Sequence, residues 1–163
     1  MDFFHKGASM TKRVVGIAKL KNVPKIDTRQ ARRISKVGTF YDEEDPITSI
    51  LLEVASDEGS RKRGMMGRDR LPDICGMLFE GLSGGGSFWM KNCLIPLDVA
   101  FMTKDWFITK TYSMPVDKEG NSRYEYGNDD VSAVEVPMGF LGKWGIVPGF
   151  RLKTRDLSSR KES

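Results

Sequence analysis

Three polar residues interrupt a dense apolar run in the middle of the chain, and their side chains are the ones most able to do chemistry. Lys91, Asn92 and Asp98 lie in the run 87–98, whose other residues are mostly apolar. In a water-soluble protein, buried groups of these types need ionic or hydrogen-bonding partners. Three consecutive glycines precede the run and form a flexible breaker. We therefore predict a strand over 88–92 that enters the core beside a fixed polar cluster.

The alternation of a strand assigns the side chains of this run to two faces. Phe88, Met90 and Asn92 would lie on one face, and Trp89 and Lys91 on the other. A cation and an aromatic ring would then share one face of the predicted strand.

Six residues make up the candidate site, and three interpretations of it remain open. The six are Arg63, Trp89, Lys91, Asn92, Asp98 and Glu135. In the first interpretation the charged members form a buried salt-bridge cluster that fixes the fold. In the second they form the floor of a pocket for a small polar ligand, with Trp89 as a stacking wall. In the third, Asp98 or Glu135 is a general base tuned by Lys91.

Histidine and cysteine usage excludes several common sites. The single histidine, His5, lies near the N-terminus, so histidine-based metal sites and Ser-His or Cys-His catalysis within the domain are nearly excluded. Cys75 and Cys93 lie in apolar runs and are expected to be buried thiols, although a disulfide between them stays open. We predict no metal and no cofactor.

The positive charge of the chain is concentrated at its N-terminal end. Residues 1–41 carry ten Lys and Arg against two acidic residues, whereas residues 42–163 carry sixteen against twenty. Such an arm predicts an acidic partner, either nucleic acid or the acidic face of a neighbouring subunit, unless it is only a solvated tail. The basic residues assigned to partner binding are Lys12, Arg13, Lys19, Lys21, Lys25, Arg29, Arg32, Arg33 and Lys36.

The sequence shows no signal for membrane insertion or export. No apolar run approaches the ~18 residues of a membrane span, and the first residues lack the apolar core and cleavage site of a secretory signal. We expect the protein to remain in the cytoplasm or to join an assembly there, such as a virion.

Turn signals divide the chain into an arm, a domain and a tail. The arm covers residues 1–45 and ends at the acidic turn before Pro46. The domain covers 46–154, and a polar tail follows at 155–163. A short helix is expected to begin after an N-cap offered by Ser56-Asp57-Glu58 and to end about Gly64 to Gly67.

Short β-rich segments dominate the domain. The predicted strands are 47–55, 76–80, 88–92, 97–102, 106–112, 131–136 and 150–153, with a helical turn at 139–141. About seven short strands with one short helix indicate a mostly β fold, a compact sandwich or barrel, that carries an extended basic arm.

An ordered set of motifs extends over about two thirds of the chain. The motifs are RKRGMMGR at 61–68, LP at 71–72, GMLF at 76–79, FWMKNCLIPLDVAF at 88–101, AVEV at 133–136 and GIVPG at 145–149. Residues 50–153 thereby resemble the domain-of-unknown-function 192 family. The resemblance implies a small β-rich domain and supplies no reaction. The chain departs from the usual family pattern at Phe150, where Asp is typical, at Cys93, where Thr is typical, and in its basic arm, where members often have an export signal.

These observations favour a non-catalytic structural or interaction protein. The β domain would be a rigid body that the basic arm anchors in a large assembly, and a bacteriophage head or tail component is the specific expectation. Two alternatives remain. One is a domain that binds a small polar ligand in a pocket beside Trp89, and the other is a hydrolase that uses Asp98 and Glu135 in one cleft. Nucleic-acid binding would reside in the arm and would depend on salt.

Overall fold

The computed structural model of the chain describes residues 26–157, and within them nine strands and three short helices follow one another. The helices are α1 (Thr28–Arg33), α2 (Glu58–Arg63) and α3 (Phe140–Lys143). The strands are β1 (Ile34–Asp42), β2 (Asp45–Ala55), β3 (Cys75–Glu80), β4 (Gly86–Phe88), β5 (Leu97–Thr103), β6 (Ile108–Met114), β7 (Tyr124–Tyr126), β8 (Asp130–Pro137) and β9 (Arg151–Asp156). No helix in this range is long and apolar enough to cross a membrane.

Seven of the strands form one sheet that closes on itself. Their order is β6-β5-β8-β3-β2-β1-β9, and β4 pairs with β7 in a separate ribbon. β2 and β3 are parallel and are joined through α2, whereas the other neighbours are antiparallel. The two edge strands meet where Ile108 N donates to Phe150 O at 2.8 Å and Leu152 N donates to Trp106 O at 3.1 Å. The predicted mostly β fold is confirmed, and of the two architectures considered it is the barrel.

Strand alternation produces two apolar cores, one on each side of the sheet. Leu52, Leu78 and Val134 point into the barrel, which α3 closes with Phe140 and Leu141. Their neighbours in sequence point outward and form a second core, which contains Met77, Phe79, Val99 and Phe101. Segments between the strands cover this outer core with Met65, Leu82 and Met90. Side chains that differ by one position in a strand therefore lie in different environments.

The domain begins earlier than the sequence indicated. Residues that the sequence analysis assigned to the arm form α1 and β1, and β1 pairs with β2 on one side and β9 on the other. The acidic segment that was expected to be the boundary is the turn of the β1–β2 hairpin, where Glu43 has a φ of 52°. β1 has few apolar residues of its own, and it is held between β2, its hairpin partner, and β9, which is distant in sequence.

The structure has no strand over 89–92, although the sequence predicted one over 88–92. β4 ends at Phe88, and the residues that follow form a turn in which Cys93 N donates to Met90 O at 3.0 Å. Asn92 has a φ of 59°, a left-handed conformation that Asn tolerates well. The predicted alternation of faces over this segment therefore does not hold.

Candidate functional site

Asp98 has a structural position inside the barrel. Its side chain is 2% exposed. One carboxylate oxygen accepts from Ser113 Oγ at 2.8 Å, and the other accepts from Gly139 N at 2.9 Å and Leu141 N at 3.2 Å. These bonds tie β5 to β6 and to the segment that forms α3. Asp98 has no opening to solvent through which it could act on a substrate.

The structure does not bring together the four charged residues of the predicted salt-bridge cluster. In the antiparallel pairing of β5 with β8, Asp98 lies opposite Val136, and Val99 lies opposite Glu135. Asp98 and Glu135 therefore point to opposite faces of the sheet, and they cannot act as a carboxylate pair in one cleft. Lys91 and Asn92 lie in the exposed turn after β4. Among residues 26–157, no ion pair joins any two members of this predicted cluster.

Three of the six predicted residues, Arg63, Trp89 and Glu135, line one cleft on the outer face of the sheet, which we call the Glu135 cleft. It has a volume of about 330 Å³. Its walls come from α2 and the turn that follows it, from the segment at the end of β4, and from β7. The side chains that line it include Arg61, Arg63, Phe88, Trp89, Tyr126 and Glu135.

Glu135 lies in the middle of β8 and contributes a buried carboxyl to this cleft. The residue is 5% exposed, and within the described part of the chain its Oε2 has no hydrogen-bond partner. Burial raises the pKa of the carboxyl to about 8, and the positive charge of Arg68 acts in the opposite direction with a smaller effect. At neutral pH the group is therefore mostly a neutral acid, which both donates and accepts a hydrogen bond.

The basic C-terminal end of α2 lines the same cleft as this carboxyl. Asp57 caps the helix, in agreement with the predicted N-cap, and the structure adds a capping box between Asp57 and Ser60. Arg61 is held by two backbone oxygens, because one nitrogen of its guanidinium donates to Ser56 O at 2.6 Å and to Glu80 O at 3.0 Å. Lys62 pairs with Glu58 along the helix.

Arg63 is the cation of α2 that can meet a ligand. Among residues 26–157, it forms no ion pair or side-chain hydrogen bond, and its side chain lines the Glu135 cleft. The helix stops directly after it at Gly64, which has a φ of 46°. The chain turns toward the sheet at this point, and Met65 is buried in the outer core.

Trp89 forms part of the cleft wall and is 40% exposed. The Lys91 Nζ lies 5.1 Å from the centre of its ring, and the Arg123 Cζ lies 4.8 Å from it. Gly120 packs closely against this group, since a Cβ there would lie 3.2 Å from the Trp89 ring and 2.7 Å from the Lys91 Cβ. The ring is thus held in place, and the two cations give its surroundings a positive charge.

Sequence reasoning missed two residues of this region, Glu53 and Arg68. Glu53 is 4% exposed in β2, and its carboxylate is hydrogen-bonded to the Arg68 guanidinium. In the sheet, Met77 lies between Glu53 and Glu135, so the two acids share the outer face at a spacing of roughly 10 Å. An acid inside the apolar run of β2 was the available signal, of the same kind that marked Glu135.

The basic residues assigned to partner binding fall into two groups. Lys12, Arg13, Lys19, Lys21 and Lys25 lie outside the described residues. Arg29, Arg32 and Arg33 belong to α1, and Lys36 belongs to β1. The Lys36 ammonium pairs with Asp156 at 2.8 Å, and this pairing raises the pKa of the lysine.

The two cysteines are free thiols in the apolar interior. Cys75 and Cys93 are each at most 5% exposed. Burial raises the pKa of both thiols to about 11, so at neutral pH they are not thiolates. Within residues 26–157, no three His, Cys, Asp or Glu side chains are grouped so as to hold a metal ion.

Comparison with known proteins supports the predicted family. Residues 40–154 match the profile of DUF192, described as "Uncharacterized ACR, COG1430", which confirms the resemblance inferred over 50–153. No curated protein matches the chain. A crystal structure described as a "putative transcription regulator" from Sinorhizobium meliloti 1021 is similar, with 25% identity, a TM-score of 0.67, and coverage of 74% of this chain and 92% of that one. A protein of unknown function from Novosphingobium aromaticivorans DSM 12444 is also similar, with 23% identity, a TM-score of 0.64, and coverage of 72% and 83%.

Proposed function

The chain belongs to the DUF192 family, and we propose that its barrel is a binding domain for a small polar ligand that enters the Glu135 cleft. The observation that carries this proposal is the Glu135 carboxyl, which lines the cleft with a buried oxygen that has no partner within residues 26–157. A buried polar atom without a partner costs on the order of 1–3 kcal/mol. A ligand that forms a hydrogen bond with this carboxyl removes that cost.

The lining of the cleft favours a small organic acid. The neutral Glu135 carboxyl can donate a hydrogen bond to a ligand carboxylate, and the Arg63 cation can pair with its charge. Phe88, Trp89 and Tyr126 supply an apolar wall for the body of the ligand. A volume of about 330 Å³ limits the ligand to a molecule of metabolite size.

Saturation-transfer NMR with benzoate and succinate as probes tests the proposal. We expect the affinity of the wild-type protein to fall as pH rises through the pKa of about 8, because an ionised Glu135 repels the ligand. Glu135→Gln keeps one donor and one acceptor, so it should bind at neutral pH and lose the pH dependence. Glu135→Leu should not bind.

Two outcomes would contradict the ligand-binding proposal. One is that neither probe gives a saturable signal that competes for a single site. The other is binding that is the same in the Leu variant as in the wild type. Far-UV circular dichroism of each variant would first establish that the barrel is folded.

The role in an assembly stays a prediction, and a bacteriophage head or tail component remains its specific form. It rests on the basic N-terminal residues, of which 1–25 lie outside the described structure. Sedimentation and mass spectrometry of the native source material test it. Co-purification with a large particle in fixed ratio would support it, and a free monomer of about 18 kDa would contradict it.

A deletion that spares β1 tests nucleic-acid binding by the basic residues. Removal of residues 1–41 would also remove nearly all of β1, which pairs with two neighbours in the sheet. Deletion of 1–25 keeps the described domain intact. If the basic residues within 1–25 carry the binding, this deletion should abolish a salt-dependent affinity for DNA or RNA. Equal binding by the truncated and full-length chains would refute it.

A further inference from the structure

A second cleft lies on the other side of the turn that follows α2, and three arginines line it. We call it the arginine cleft. Its volume is about 690 Å³, and Arg33, Arg63 and Arg68 line it together with Glu53. Arg63 also belongs to the Glu135 cleft, so it lies on the ridge between the two.

The residues that line this cleft carry a net positive charge. Arg68 is hydrogen-bonded to Glu53 Oε2, and this pair is compensated. Arg33 is more distant, with its Nε 4.0 Å from Glu53 Oε1, and its side chain is 55% exposed. Three arginines against one glutamate leave two positive charges, and guanidinium groups are suited to bidentate contact with oxyanions.

Glu53 adds a second and independent feature, an acceptor without a donor. Its Oε1 is buried and has no hydrogen-bond partner among the described residues. The carboxylate is held by Arg68, so its position is fixed. A ligand that fits must therefore present negative oxygens to the arginines and, beside them, one hydrogen-bond donor to Glu53.

We propose that the arginine cleft is a phosphate site that binds monohydrogen phosphate, either free or as part of a small phosphorylated molecule. Arg33 and Arg63 contact its charged oxygens, and the P–OH group, or a neighbouring ligand hydroxyl, donates to Glu53 Oε1. The dianion matches the two uncompensated charges. The cleft is larger than a phosphate ion alone requires, and the remaining space accommodates an organic group.

Isothermal titration with inorganic phosphate, in a buffer free of phosphate and sulfate, tests this site in the full chain. We expect saturable binding, and we expect Arg33→Gln to weaken it at least about tenfold through loss of a charged contact. Arg70→Gln is the matched control, because Arg70 is 76% exposed, pairs with Asp69 and does not line the cleft. It should bind within about twofold of the wild type.

Sulfate tests the role of Glu53, because the sulfate dianion has the same charge and no proton to donate. We expect sulfate to bind at least about tenfold more weakly than phosphate. Equal affinity for the two ions would overturn the assignment of Glu53. The phosphate site itself would be overturned by an absence of saturable phosphate binding, or by unchanged affinity in Arg33→Gln. It would also be overturned if a single-stranded oligonucleotide bound in an Arg33-dependent manner while free phosphate did not.

Discussion

Replacement of Glu135 by Gln should change how the stability of the protein depends on pH. Burial raises the pKa of this carboxyl from 4.5 in an exposed state to about 8 in the folded protein. Between these values the folded chain holds a proton that the unfolded chain releases. The stability that the neutral carboxyl contributes is therefore fully present below about pH 4.5, and it is lost as pH rises to about 8. Gln cannot ionise, so the variant lacks this dependence.

The expected size of the effect follows from one proton per chain. The free energy of unfolding of the wild type should fall by about 1.4 kcal/mol per pH unit relative to the variant. Between about pH 5.5 and pH 7.5 the difference between the two proteins should change by about 3 kcal/mol. The carboxyls whose pKa is lowered, such as Asp57 and Asp117, titrate below this range.

Urea unfolding followed by tryptophan fluorescence measures this difference. Both proteins should be unfolded at three pH values across the range, and the comparison removes contributions from groups that they share, including His5. Glu125→Gln is a matched control, because Glu125 is exposed on β7 and should give a constant difference from the wild type. A difference between wild type and Glu135→Gln that stays constant within about 0.5 kcal/mol would refute the reasoning. Glu135 would then be ionised and solvated in the folded protein.

Three further predictions concern the framework around the site. Asp98→Ala should lower the free energy of unfolding by on the order of 1–3 kcal/mol, because it leaves the buried Leu141 N–H without its acceptor and removes the part-buried bonds from Ser113 and Gly139, and chemical denaturation measures this loss. Gly76→Ala should cost about 1–3 kcal/mol, since a Cβ there lies 2.5 Å from a backbone oxygen of β8, whereas Gly142→Ala meets no atom within 4 Å and should be nearly neutral in the same assay. Cys75 and Cys93 should react with Ellman's reagent only after unfolding, because burial raises the pKa of both thiols to about 11; rapid reaction of the native protein would contradict their burial.

The elements that the sequence predicted correctly are those that depend on neighbouring residues. The N-cap at 56–58 and the helix end at the glycines that follow are local signals, and the structure has both, with Asp57 as the cap and Gly64 at the end. The strand predicted over 131–136 corresponds to β8, whose three valines are typical of a strand. In contrast, the apolar composition of 88–92 predicted a strand, whereas β4 ends at Phe88 and the residues after it form a turn with a hydrogen bond from Cys93 N to Met90 O.

β1 was missed for a different reason. β1 follows the basic helix α1, and only Val37 and Phe40 among its large apolar side chains are buried, so the sequence resembled the continuation of an arm. The strand exists because it lies between β2 and β9, and Gly38 permits close packing against the side chains of Leu52 and Leu152. The pairing with β9, which is distant in sequence, leaves no local signal.

The sequence alone determined the mostly β class, the family, and the unusual residues that deserved attention, Glu135 and Trp89 among them. Only the tertiary structure decided which of these residues meet. One position of register in β5 and β8 places Asp98 inside the barrel and Glu135 outside it. The register follows from hydrogen bonds between strands and from the closure of the sheet, so no reading of residue types could have separated the structural acid from the acid of the cleft.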